Sequence, residues 1–116
     1  MKKTLLMLAS LTWAVPVMAA SVSTNPLGAV KAYPNPWRVD KHANTSVIFD
    51  GMPAGSTVKV FTISAEEVKK LAADSSGKAY WDRTNDSGQN VASGVYIYLI
   101  IDPQGNQTSG KLAIIK

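Results

Sequence analysis

The densest group of side chains that could do chemistry lies in the second half of the chain. Oxygen-bearing side chains are crowded into six residues there, among them Asp82, Asn85, Asp86 and Ser87. Such oxygens are the ligands that Ca²⁺ takes in proteins, but the spacing differs from an EF-hand and no distal glutamate follows. The same residue types bond to nearby backbone in turns, and the following Gly88 suits a left-handed turn position. The sequence therefore favours a turn, with a Ca²⁺ site at Asp82, Asn85 and Asp86 as the weaker alternative.

Nucleophilic and acid–base catalysis have few candidate residues. The chain has no cysteine, and its single histidine, His42, lies in a polar stretch beside Lys41 and close to Asn44. No partner constellation for a catalytic base can be named around it. We therefore expect a solvated loop histidine, a protein that is not an enzyme, and no cofactor.

Aromatic residues offer a third kind of chemistry, because exposed rings stack on sugars. The chain is rich in such rings for its size: Trp37, Tyr80, Trp81, Tyr96 and Tyr98. The alternation of apolar and polar residues turns Trp81 inward, and large rings usually pack in cores. Most of these rings are therefore predicted to be core residues, and a glycan-binding module stays a lesser alternative.

The first residues predict a cleavable signal peptide. Lys2 and Lys3 precede an uncharged apolar run from Thr4 to Val15, and small residues follow up to Ala20. The run is shorter than the roughly 20 residues of a membrane span, so we predict residues 1–19 as the signal and no transmembrane segment after its cleavage. Residues 20–29, small and polar, are predicted to be a flexible leader.

The remaining residues, 20–116, suffice for one domain. Without Lys2 and Lys3 the chain carries 10 basic and 8 acidic residues, and the pair Lys69-Lys70 is its only basic cluster. A nucleic-acid partner is therefore not expected. An exported chain without cysteine must hold its fold by packing, which suits a bacterial envelope, and the predicted location is the periplasm, outer surface or exterior.

Short apolar runs separated by Gly, Pro, Asn and Asp predict an all-β sandwich. Seven strands are expected, near Val30–Tyr33, Thr45–Asp50, Thr57–Ile63, Glu67–Leu71, Lys78–Asp82, Val95–Asp102 and Gln107–Ile115. The run A-E-E-V-K-K-L-A-A from Ala65 also suits a helical turn, and strand is preferred there. Val95 to Ile101 is apolar on both faces, which predicts a central strand covered on both sides or a face that binds a partner.

Several motifs in order resemble a known family. They are A-Y-P-N-P-W from Ala32, V-K-V-F-T-I from Val58, W-D-x-x-N-D-x-G from Trp81, V-A-S-G-V-Y-x-Y from Val91 and the closing K-L-A-I-I-K. Together they resemble the immunoglobulin-like domain of flagellar hook-capping proteins, of the kind known as FlgD, and the C-terminal sorting domain of type IX secretion cargo. The resemblance covers residues 30–116. Where the family usually has glycine after Trp-Asp, this chain has Arg83.

The resemblance implies a seven-stranded, immunoglobulin-like antiparallel β-sandwich whose motif residues are structural. Those residues are Pro34, Asn35, Pro36, Trp81, Asp82, Asn85, Asp86, Gly88, Gly94 and Tyr96. It also implies a module for secretion, surface attachment or extracellular assembly that contacts proteins of that machinery. A structural subunit of an envelope appendage, akin to the hook cap, is the alternative.

The terminal hairpin is the predicted recognition element. Its candidate residues are Lys111, Leu112, Ile114 and Lys116. A last strand with basic ends could offer a free edge to which a receptor adds a strand. The other interpretation is a last strand that only completes the sandwich. The sequence identifies neither the partner nor the oligomeric state.

Overall fold

A computed structural model describes residues 26–116, so the predicted signal peptide and residues 20–25 lie outside the described part. The described residues form eight strands and one four-residue helix. They are β1 (Lys31–Tyr33), β2 (Trp37–Arg38), α1 (Val39–His42), β3 (Val47–Asp50), β4 (Thr57–Thr62), β5 (Glu67–Ala72), β6 (Ala79–Trp81), β7 (Gly94–Ile101) and β8 (Gln107–Ile115). Within this part, no helix is long and apolar enough to cross a membrane.

Two sheets pack face to face as a β-sandwich. The smaller has the order β1-β3-β6 and the larger the order β2-β8-β7-β4-β5. The prediction of seven strands, all antiparallel, is wrong, because residues 26–116 contain eight strands and one parallel pair. Each of the seven predicted strands has a counterpart, and Glu67–Ala72 is a strand rather than a helical turn. The additional strand is β2, only two residues long, which pairs in parallel with the end of β8. Because it follows two prolines and has no alternation of its own, no sequence pattern predicts it.

The core lies between the inward faces of the two sheets. Trp81, Val47 and Phe49 of the smaller sheet are fully buried against Val58, Val60 and Ile100 of the larger one. Aromatic rings meet across the interface: Trp81 lies edge-on to Tyr96 at 5.8 Å, and Phe49 is tilted against Tyr98 at 5.2 Å. Such offset ring pairs add about 0.5–1.5 kcal/mol each beyond the area they bury.

The packed unit begins before the first strand. Residues 26–29 form a turn, and Leu27 within it is buried in the core. The end of the predicted leader is therefore part of the packed structure. Its polar composition concealed this, because one leucine among small residues carries no periodic signal.

One glycine is required where two connections touch. Gly77, between β5 and β6, has φ +81° and accepts a hydrogen bond from the Met52 amide at 3.2 Å. A Cβ built on it would lie 2.1 Å from the Met52 carbonyl oxygen. Gly88 has nearly the same φ, +84°, but a Cβ there meets nothing within 4 Å. Both glycines therefore have a backbone conformation that disfavours other residues, but only at Gly77 would a side chain also collide with a neighbouring segment.

Arg83 occupies the position where the family resemblance has glycine, and its backbone explains that preference. Its φ is +64°, a left-handed conformation that costs a non-glycine residue about 1–2 kcal/mol. Its guanidinium lies 3.9 Å from the ring centroid of Trp37 and donates to the Thr45 carbonyl at 2.7 Å. Burial lowers the pKa of this guanidinium from its usual value. Stacking and hydrogen bonding by the side chain therefore offset the backbone strain.

We predict that Gly77→Ala destabilises the domain much more than Gly88→Ala. Both variants place alanine at positive φ, which costs about 1 kcal/mol, but only Gly77→Ala forces a backbone atom out of the way and should lose about 3 kcal/mol or more. Urea denaturation followed by tryptophan fluorescence measures the difference. Equal losses would show that the contact with Met52 does not constrain the fold.

We predict that Arg83→Gly is more stable than Arg83→Ala, by about 1 kcal/mol. Both remove the stacking on Trp37 and the bond to Thr45, while only glycine also relieves the left-handed backbone. The free energies of unfolding of the two variants and the wild type, measured side by side, test this. Two variants of equal stability would contradict a strained backbone at Arg83.

Candidate functional site

The four residues of the predicted recognition element divide into two buried and two exposed side chains. Leu112 and Ile114 are each 1% exposed and belong to the core, whereas Lys111 and Lys116 face solvent. The hairpin that carries them is antiparallel, as predicted, with Gly105 at φ +90° in its turn. Only the two lysine side chains of this set are therefore accessible to a partner.

The Pro-Asn-Pro motif lies against the last strand. Asn35 donates from its Nδ2 to the Lys111 carbonyl at 2.9 Å, and its Oδ1 accepts from the Ala113 amide at 3.2 Å. One side chain thus makes the two bonds that a neighbouring strand would make. Pro34 and Pro36 flank it in a bend between β1 and β2, and both prolines follow cis peptide bonds.

The strand β2 continues this pairing to the end of β8. Trp37 pairs with Ile114 and Arg38 with Ile115, while β7 occupies the opposite edge of β8 from Gln107 to Ile114. Beyond the strand, the Lys116 amide donates to Ser93 Oγ at 2.9 Å and its Nζ donates to the Val91 carbonyl at 2.6 Å.

The prediction that this strand offers a free edge is therefore wrong for Lys111 to Ile114. Both edges of this segment are already hydrogen-bonded, and strand addition requires unpaired N–H and C=O groups. The first half of β8, Gln107 to Gly110, is paired with β7 on one edge only. The sequence could not show the closed edge, because Asn35 lies 76 and 78 positions along the chain from Lys111 and Ala113, the two residues that it bonds.

The polar segment after Trp81 bonds to itself. Asp82 Oδ1 accepts from the amide and the hydroxyl of Thr84, and the hydroxyl bond is the main reason that the pKa of Asp82 is lowered. Asn85 Oδ1 accepts from the amides of Ser87 and Gln89 at 3.0 and 2.9 Å. These are the local side-chain bonds of Asx turns. Oδ1 of Asp82 and Oδ1 of Asn85, two of the candidate Ca²⁺ oxygens, are thus engaged by the turn.

The same segment packs on the outer strand β5. The Asp86 amide donates to the Val68 carbonyl at 3.0 Å, and Lys69 Nζ reaches the Asn85 carbonyl at 3.4 Å. The Asp86 side chain and Gly88 are exposed. Within residues 26–116, no three His, Asp or Glu side chains are grouped so that they could hold a metal ion.

His42 lies at the end of α1 rather than in a loop. Its Nδ1 accepts a hydrogen bond from the Arg38 amide at 2.9 Å, so the ring bonds to the backbone of the residue that precedes this short helix. Among the aromatic candidates, Trp37, Trp81 and Tyr96 are buried and Tyr98 is half-buried. Tyr80 is 52% exposed on the outward face of the smaller sheet.

The run from Val95 to Ile101, for which the sequence leaves a partner-binding face as one of two interpretations, forms β7. The residues of β7 that alternate with its core side chains, Val95, Ile97, Leu99 and Ile101, share the outward face of the larger sheet. In the sequence, these four residues belong to the run from Val95 to Ile101 that is apolar on both faces. The structure covers one face of this strand with the smaller sheet and leaves the other in contact with solvent.

No protein-family model matches this chain, and no curated protein matches it. Among solved structures, it is similar to PorZ, described as an essential bacterial surface component of the type IX secretion system of human oral-microbiomic Porphyromonas gingivalis. The identity is 28% and the TM-score 0.70, over 83% of this chain and 13% of PorZ.

Two further structures are similar at lower identity and show the fold alone. One is dimeric latent PorU from Porphyromonas gingivalis, with 23% identity and a TM-score of 0.51, over 74% of this chain and 9% of PorU. The other is a protease, with 16% identity and a TM-score of 0.50, over 72% of this chain and 17% of the protease. This chain therefore spans less than a fifth of each of these proteins. Its β-sandwich is of the kind found as one part of a larger type IX secretion component.

Proposed function

We propose that this chain is a non-enzymatic sorting-type module of type IX secretion, exported through the general secretory pathway and active at the cell surface by protein–protein contact. The observation that carries the proposal is the likeness to PorZ over 83% of the chain. The ordered motifs from Ala32 to Lys116 support it, because they resemble the sorting domains of type IX cargo.

The geometry suits a module that is recognised as a folded unit. Asn35 and β2 close the edge of β8, and the turn after Trp81 bonds to the outer strand β5. These bonds reduce the length of free strand edge that could pair unspecifically during export. Recognition then falls on exposed side chains, including Lys111 and Lys116, and on the outward sheet faces.

Deleting the last strand would not test this function. Removing Gly110–Lys116 takes Leu112 and Ile114 out of the core, and each buried aliphatic side chain contributes about 2–5 kcal/mol. The deletion would therefore unfold a domain of this size, whose total stability is about 5–15 kcal/mol. An intact module with a reporter is the better probe.

We predict that the full chain delivers a reporter to the cell surface when the reporter is inserted between residues 19 and 26. The host is a bacterium with type IX machinery, compared with a strain in which that machinery is deleted. Surface exposure is measured by protease accessibility on intact cells. We expect accessible reporter in the first strain and reporter retained in the periplasm in the second.

The control is the same fusion with Trp81→Ala, which removes the largest fully buried side chain and should cost about 3–5 kcal/mol. Loss of delivery in this variant shows that the folded module is needed. Equal surface exposure in both strains, or none in either, would contradict the proposed function.

A further inference from the structure

The outward face of the larger sheet has an apolar centre. Side chains that are paired across strands lie on the same face, so the registers place Phe61 beside Ile97 and Val95 beside Ala113. Leu99 and Ile101 extend this centre along β7. Val95 is 43% exposed, and Ile115 at the end of β8 is 46% exposed.

No described element covers this face. The inward residues of β4, β7 and β8 pack against the smaller sheet, and the only helix in residues 26–116 contacts β2 at the margin. Contiguous apolar surface on one side of a sheet, edged by polar residues, is the usual composition of a protein interface.

The charges around this centre are mostly basic. Lys59 on β4 lies directly opposite Lys70 on β5, and Lys111 on β8 lies opposite Ile97. Glu67, opposite Phe61, is the acidic residue of the same face. None of the three lysines forms an ion pair within residues 26–116, where the two ion pairs are Arg38–Asp40 and Lys78–Asp50.

Two like charges directly opposite each other destabilise a sheet. The pair Lys59–Lys70 is therefore unfavourable in the isolated module, and a carboxylate placed between the two ammonium groups would remove the repulsion. A second copy of this chain would bring the same excess of lysine to the face. Charge complementarity thus selects a different, acidic partner.

We propose that the outward face of β5, β4, β7 and β8 docks a partner protein whose contact surface is apolar at its centre and carries carboxylates facing Lys59, Lys70 and Lys111. This inference deepens the proposed function, since the partner would belong to the secretion or surface-assembly machinery. The apolar centre supplies the contact area, and the lysines select the partner and its orientation.

Photo-crosslinking in the native host tests the surface directly. Leu99 is replaced by p-benzoylphenylalanine in the full chain. In the control, p-benzoylphenylalanine replaces Tyr80, which lies on the outward face of the smaller sheet. We expect an adduct with another protein from position 99, about fivefold stronger than from position 80. The Lys59→Glu substitution should weaken it about tenfold, since it places a carboxylate opposite the partner's own.

Lys59→Glu is suited to this test because it should not harm folding. Its carboxylate would face Lys70 across the strand pair, so the melting temperature should equal or exceed that of the wild type. Lys41→Glu, an exposed charge reversal on α1, is the matched control and should leave the adduct unchanged. No adduct from position 99, an adduct only with a second copy, or one that is insensitive to Lys59→Glu would overturn the proposal.

The reporter assay separates this proposal from the proposed function. If the sorting role and the docking face are both correct, Lys59→Glu lowers surface delivery of the reporter about tenfold and Lys41→Glu does not. A charge-sensitive adduct without delivery of the wild-type reporter would refute the sorting role and uphold the docking face. Wild-type delivery that Lys59→Glu leaves unchanged, with no charge-sensitive adduct, would uphold the sorting role and refute the docking face.

Discussion

The closure of the last strand is the constraint on which the other features of this structure depend. β8 holds two fully buried residues, Leu112 and Ile114, so its register decides whether the sandwich has a complete core. β7 fixes one edge, and the Asn35 side chain with β2 fixes the other. A slip of one residue would turn both buried side chains to solvent, and the bonds on both edges oppose it.

This closure also determines how the module meets other molecules. The segment of β8 that is bonded on both sides cannot accept another strand, so its contacts with a partner are made by side chains. The two outward faces differ in charge. The smaller sheet pairs Lys78 with Asp50 at 2.8 Å, whereas the larger sheet leaves Lys59 opposite Lys70 without a carboxylate. Around the apolar centre of the larger sheet, Lys59, Lys70 and Lys111 form no ion pair within residues 26–116.

The strands were predictable because each one carries a local pattern. Alternating apolar residues mark β3, β4 and β6, and the residues of the β7–β8 turn predict an antiparallel hairpin, which the structure confirms. β2 and Leu27 have no such pattern, and only contacts with distant residues place them. Arg83 is intermediate: the sequence shows that it replaces a glycine, but only the positive φ and the stacking on Trp37 explain how arginine is tolerated.

The sequence by itself determined the all-β class, the strand order along the chain, the turn-forming role of Asp82 and Asn85, and the motifs that resemble a sorting domain. These depend on side chains and their near neighbours, whose preferences act over a few residues. Tertiary structure alone decided that Asn35 closes the last strand, that β7 is covered on one face only, and that Lys59 lies opposite Lys70. Those facts depend on which distant segments pair, and pairing is settled by the packing of the whole core.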